Sequence, residues 1–126
     1  MNQEHGRKRL EVTDIGEVTV VTFADRKILD TESIRVIGEA LFSLVRERGR
    51  TKILLNFSNV EYLGSEALGK FILLHKIVKN AGGRLVLCSL DPEIFLVFET
   101  TMVNRIFGQD NFANDEIGGL EIFAKP

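Results

Sequence analysis

Ser65 and His75 are the first pair to test for nucleophilic chemistry. Ser65 lies in Gly64-Ser65-Glu66-Ala67-Leu68-Gly69, and His75 follows ten residues later. A serine nucleophile needs a base within hydrogen-bond reach, about 3 Å. On one helix, ten residues rising about 1.5 Å each separate the two by about 15 Å. His75 therefore cannot serve Ser65, and it is expected at the helix surface or packed at its margin. The other histidine, His5, falls in a polar N-terminal stretch that is expected to be mobile. Cys88 ends the apolar run Leu85-Val86-Leu87 and reads as a buried strand thiol. One cysteine and no histidine pair at i, i+4 leave no recognisable metal ligand set. Gly82-Gly83 follows a helical pattern and precedes a strand, the reverse of a dinucleotide loop, so it reads as a helix stop. The pattern is that of a chain with no catalysis, metal or cofactor of its own.

Ser65 nevertheless stands at an unusual place, where a buried strand and a short loop give way to a long helix. Free N–H groups and the helix dipole there favour an anion. A phosphate on Ser65 would be tolerated by its own helix. It would add about −1.5 to −2 charges to whatever surface it faces, enough to break a docked interface. The plainer reading is that Ser65 caps the helix, and spacing alone favours that.

The elements that must position Ser65 follow from pattern. Leu10 to Val12 reads as a short strand, Asp14-Ile15-Gly16-Glu17 as a hairpin turn, and Val18 to Phe23 as a β-branched partner strand. Asp30 opens a helix as its cap, with Ile34, Ile37, Leu41, Leu44 and Val45 at helical spacing and Gly49 after its end. Ile53 to Phe57 is nearly continuous and apolar, as a central strand covered on both faces should be. Ser58 to Gly64 reads as a loop, and Ser65 to about Ala81 as the second helix. Arg84 to Cys88 is the next strand, and Asp91-Pro92-Glu93 starts a helix with a cap, a proline and a first-turn acid. Arg105-Ile106-Phe107 suggests a last short strand, and Asn114 to Leu120 a weak final helix. Strands separated by helices imply parallel neighbours joined by right-handed crossovers. The expected fold class is therefore α/β: a mixed sheet, with an antiparallel edge pair plus parallel strands, packed with helices.

Composition narrows the partners. The 126 residues fit one domain, expected over 9–126 behind a mobile tail at 1–8. Sixteen Lys and Arg against eighteen Asp and Glu leave a formal net charge of −2, which argues against bulk electrostatic binding to nucleic acid. The one short basic run, Arg7-Lys8-Arg9, lies in the tail. No signal-peptide pattern and no apolar run near 20 residues is visible, and a lone cysteine suits a reducing compartment. The expectation is a soluble cytoplasmic protein with no membrane insertion.

The run Leu54-Leu55-Asn56-Phe57-Ser58-Asn59-Val60-Glu61-Tyr62-Leu63-Gly64-Ser65-Glu66-Ala67-Leu68-Gly69 resembles the signature of STAS domains, and in particular of bacterial anti-sigma factor antagonists. The similarity continues through Lys79 to Cys88, persists at Pro92 and Phe98 and more weakly in Val103 to Phe107, and includes Leu29-Asp30 upstream; it spans roughly residues 9–125. The resemblance implies a STAS-like mixed sheet. It implies a protein that binds an anti-sigma factor, often a serine kinase of the ATPase fold, and thereby releases a sigma factor. The kinase phosphorylates the serine of the motif; ATP and Mg²⁺ belong to the kinase. Carried over, Ser65 is the phosphoacceptor, and Asp30, Asn56, Gly64, Ser65 and Glu66 form the partner-binding set. Asn56 would tie down the loop beneath the serine. Two positions depart from the pattern: Gly64 replaces the family Asp before the serine, and Glu66-Ala67 replace a small residue and a glycine. Other readings are an unphosphorylated STAS scaffold or accessory module of a signalling or transporter assembly, and a small-molecule or nucleotide-binding STAS domain. Gly64 and Glu66 lean against the last.

Overall fold

The computed structural model describes residues 9–125. The expected tail at 1–8, His5 and Pro126 lie outside the described residues. Strand β1 (Leu10–Ile15) turns back through Gly16, at a left-handed φ of +61°, into β2 (Val18–Phe23). β1 runs three residues further than its apolar pattern suggests, because antiparallel pairing with β2 extends to Ile15↔Val18. After β3 (Lys27–Ile28) come α1 (Thr31–Arg46), β4 (Lys52–Asn56), β5 (Tyr62–Leu63) and α2 (Ser65–Asn80). β6 (Arg84–Cys88), α3 (Pro92–Thr100), α4 (Val103–Phe107), β7 (Phe112–Ala113) and α5 (Glu116–Ala124) complete the chain.

The main sheet has the order β1-β2-β4-β6-β7, with β1 antiparallel to β2 and every other neighbour parallel. Alternation along the central strands divides the core in two. Val21, Phe23, Ile53, Leu55, Leu85 and Leu87 face the layer of α1 and α2, where Ile34, Ile37, Leu41, Phe71, Leu74 and Val78 meet them. Val18, Val20, Leu54, Val86 and Cys88 face α5. Phe23, Phe57 and Phe71 pack ring to ring, with centroids 4.8–5.6 Å apart. Burial of such side chains contributes roughly 1.5–3 kcal/mol each.

Two expectations about local structure are corrected. Arg105-Ile106-Phe107 is helical, not a strand: Val103 and Phe107, four residues apart, bury the same side of α4. The sheet edge beside β6 is taken by Phe112–Ala113 instead. The last helix starts later and runs further than expected, because Asp115 caps it by accepting from the Gly118 N–H at 2.8 Å. Its glycines are tolerated for a packing reason: a Cβ on Gly119 would lie 2.6 Å from Leu54 Cδ1. Of the two places expected for His75, the packed one is occupied and the exposed one is not: it is buried, with its ring edge-on to Phe107 at 5.4 Å.

Candidate docking site

A second, two-stranded sheet builds the site. β3 and β5 pair in parallel, Lys27↔Tyr62 and Ile28↔Leu63, an offset of 35 residues. The offset holds on both sides of the pairing. Arg26 and Glu61 form an ion pair at 2.7 Å, and Thr31 Oγ1 donates to Glu66 Oε1 at 3.2 Å. The Gly64 N–H donates to the Ile28 carbonyl at 2.9 Å. Asp30 and Ser65, also 35 apart, thus lie side by side at the two helix starts, Asp30 just before α1 and Ser65 as the first residue of α2. Ile28 is fully buried and pins this small sheet to the core. Residues 58–64, expected as loop alone, contain one of the two strands. Asn59 further anchors them by donating from Nδ2 to the Phe23 carbonyl at 3.0 Å.

The two helix starts differ in chemistry. Asp30 caps α1, its Oδ2 accepting from the Ser33 N–H at 2.9 Å, and that bond holds its carboxyl below the usual carboxylate range. At α2 the cap position belongs to Gly64, and no side chain closes the first turn. Ser65 is the first helical residue and is exposed. The reading of Ser65 as the cap is therefore corrected: its backbone is already helical, and a cap residue must lie outside the helix. Gly64 has φ −83° and ψ 161°, open to any residue, and a Cβ there would meet nothing closer than the Ile28 carbonyl at 3.5 Å.

Of the expected partner-binding set, the structure brings Asp30, Gly64, Ser65 and Glu66 together at one surface. Asn56 lies elsewhere. It is 8% exposed, its Nδ2 donates to Glu116 Oε1 at 3.0 Å, and its Oδ1 accepts from the Ser58 N–H at 2.8 Å. It fixes the start of the loop from within, as expected, and offers no surface to a partner. Cys88 is fully buried, and burial pushes its thiol up to about 11, so it stays protonated. Among the described residues no cluster of three or more His, Cys, Asp or Glu side chains could hold a metal ion.

Apolar side chains surround Ser65 that pattern alone does not single out. Leu29 and Tyr62 are about half exposed on one side, with the Lys27 ammonium over the Tyr62 ring. On the other side a groove of about 100 Å³ opens between α2 and α3, lined by Leu63, Ser65, Leu68, Ile94, Val97 and Thr101. Exposed apolar surface rimmed by polar groups marks interaction sites. The sequence carries one faint signal of it: α3 places Leu96 and Val97 beside Ile94 and Phe98, so its apolar residues exceed one buried face.

The fold agrees with what known proteins show. A family model described as STAS domain matches residues 9–116, and the chain belongs to that family. A Thermotoga neapolitana protein named as a candidate anti-sigma factor antagonist is 31% identical over 87 residues, covering 69% of this chain and 77% of the relative. A Bordetella bronchiseptica protein of the same description is 30% identical over 69 residues, 55% of this chain; that match spans only 60% of the relative's length. Among solved structures, a candidate anti-sigma factor antagonist from Thermotoga maritima superposes with a TM-score of 0.79 at 22% identity, covering 92% of this chain and 95% of the other. The Bacillus cell-fate determinant SpoIIAA in its phosphorylated form superposes with a TM-score of 0.69 at 14% identity, over 92% and 99% of the chains. At these identities the structures speak for the fold alone. No helix among the described residues is long and apolar enough to cross a membrane.

Proposed function

We propose that this chain is an anti-sigma factor antagonist. It docks through the Ser65 face onto an anti-sigma factor of the serine-kinase type and so relieves inhibition of a sigma factor. Phosphorylation of Ser65 ends the complex. The observation that carries the reading is Ser65 itself, exposed as the first residue of an uncapped helix, beside Asp30, Glu66 and an apolar surface. The family membership and the names of the relatives point the same way.

The kinase supplies ATP and Mg²⁺. Ser65 Oγ forms a bond to the γ-phosphorus, the bond from that phosphorus to the β–γ bridging oxygen breaks, ADP leaves, and the hydroxyl proton passes to a base of the kinase. The product carries about −1.5 to −2 charges. The N–H groups at the start of α2, which no side chain caps, can donate to that phosphate, whereas a partner seated against Asp30 and Glu66 meets a markedly more negative surface. The groove beside Ser65, at about 100 Å³, is smaller than the roughly 300–1,000 Å³ of small-molecule sites, which disfavours a nucleotide or metabolite as its ligand.

The test is co-purification from the native cell followed by intact-mass analysis and binding measurements. An ATPase-fold kinase should co-purify, and ATP should add one phosphate to the wild type but none to Ser65→Ala. Ser65→Asp should weaken the complex at least about tenfold while Ser65→Ala binds as wild type, a difference typical of a charge placed in a desolvated contact. If both variants bind as wild type does, Ser65 is outside the interface and the reading fails.

A further inference from the structure

We infer that the partner anchors itself by seating one apolar side chain, with a lysine or arginine beside it, in the groove between α2 and α3. This rests on the assignment of the Ser65 face as the docking surface and states what the partner must bring to it. The floor of the groove is built and rigid: Ile94 is 4% exposed and Leu68 7%. Its α3 wall is unpartnered: Val97 is 47% exposed, and its neighbours Leu96 and Met102 more than half. Met102 holds a left-handed backbone, φ +63°, at the junction of α3 and α4, where the chain turns to bury Val103 and Phe107 of α4 in the core. The volume suits one side chain.

Charge selects the occupant. From Leu85 to Asn104 the chain has no lysine or arginine, but it has Asp91, Glu93 and Glu99. Glu93 lies one turn before Val97 on the same side of α3, and Glu66, held by the Thr31 hydroxyl, adds a carboxylate next to Ser65 on the α1 side. Arg105, the first cation after this stretch, lines a separate cleft with His75 and Lys79, and the other nearby cations are committed elsewhere. Arg26 pairs with Glu61, Arg35 pairs with Glu32 and Glu39, and Lys27 sits over Tyr62. The Lys70 stem lies against Gly38 of α1, away from α3. A second copy of this chain would bring carboxylates against carboxylates, and an anionic lipid surface would be repelled. A basic segment with an apolar anchor meets both the groove and its rim.

The test selects peptides on the whole protein from a random-peptide display library. Enriched sequences are then measured by fluorescence anisotropy against wild type, Val97→Glu, Glu93→Lys and the remote control Arg48→Ala. Val97 and Glu93 are exposed, so these variants should fold, and circular dichroism checks it. The expected consensus is an apolar residue next to Lys or Arg. Affinity should fall at least about tenfold for Val97→Glu and about threefold for Glu93→Lys, weaken with added salt, and stay unchanged for Arg48→Ala, an exposed residue just past the far end of α1. An acidic consensus, equal binding to Val97→Glu, or no enrichment over an uncoated support overturns the inference. The kinase complex separates this inference from the one beneath it. If Ser65→Asp weakens that complex and Val97→Glu does not, the groove is wrong and the phosphoswitch stands. If only Val97→Glu weakens it, the groove stands and the phosphoswitch falls.

Discussion

The starts of α1 and α2, at Thr31 and Ser65, lie side by side next to the β3–β5 pair, yet one is closed and the other open. At α1 the Asp30 carboxylate fills the first turn. At α2 a glycine stands in the cap position and the first turn has no side-chain acceptor. α3 and α5 are closed as α1 is, by Asp91 and Asp115. An N-cap acceptor usually stabilises a helix by about 1 kcal/mol, so the open start at α2 is a place where stability is not maximised. The difference is a division of labour. The Asp-capped start is closed by its own side chain, and the glycine-capped start leaves its first turn without a side-chain acceptor beside the exposed Ser65, as the proposed docking role requires.

The largest effect that breaks this comparison is expected from Asp30→Ala. It should remove the closure of α1 and lower the melting temperature by several degrees, seen by circular dichroism. Hydrogen exchange should quicken in the first turn of α1, around Ser33, while the first turn of α2 keeps its wild-type rate. Equal quickening at both starts would mean that Asp30 supports the shared sheet and is not a cap in its own right.

Much of this frame is legible in the sequence. The hairpin, the three central strands and the first two helices follow from apolar periodicity, and Asp30, Asp91 and Gly49 mark boundaries by backbone chemistry that acts locally. What joins Asp30 to Ser65 is not legible. β3 and β5 are two residues each, too short for any periodicity, and they pair across 35 residues of sequence. The helix formed by Val103 to Phe107 escapes the pattern for a related reason. Three residues cannot separate alternation from a single helical turn, and packing against His75 and Phe98 decides the matter. The resemblance places Ser65 correctly at the strand-to-helix junction. Spacing alone puts it one position out, as a cap, because serine is common at both places.

A smaller effect is expected at the far end of α2, where His75 is buried against Phe107 and its Nδ1 has no hydrogen-bond partner among the described residues. Burial, with Lys79 one turn on, lowers its pKa from the ordinary 6.5. The unfolded chain therefore binds the proton more readily than the folded one. His75 supports the fold fully above pH 6.5, and that support is lost progressively as the pH falls below this value towards the lowered folded pKa. Thermal melts at about pH 7.5 and about pH 5.5, on either side of the ordinary histidine pKa, should differ more for wild type than for His75→Phe, which keeps an aromatic ring without the titration. Identical pH dependence in the two would show that the imidazole is paired.

The smallest effect, and the sharpest on the comparison, is expected from Gly64→Asp, which gives α2 the closure that α1 has. The backbone at Gly64 is already extended, and a Cβ finds ordinary contacts with Ile28 and Leu29, so the side chain enters without strain. Replacing glycine by aspartate at a cap gains only a few tenths of a kcal/mol, so the melting temperature should rise by about 1–3 °C. The consequence for docking is larger than that number implies. The new carboxylate takes the N–H groups that a phosphate on Ser65 would use, while adding a negative charge beside Glu66. Mass analysis with the kinase proposed above should show whether Gly64→Asp, which puts an acid before the serine, supplies a recognition element. Faster phosphorylation with a slightly more stable fold would mean that the kinase reads the acid directly and that the open helix start is dispensable. Slower phosphorylation with the same gain in stability would mean that the vacant N–H groups are what the transferred phosphate needs.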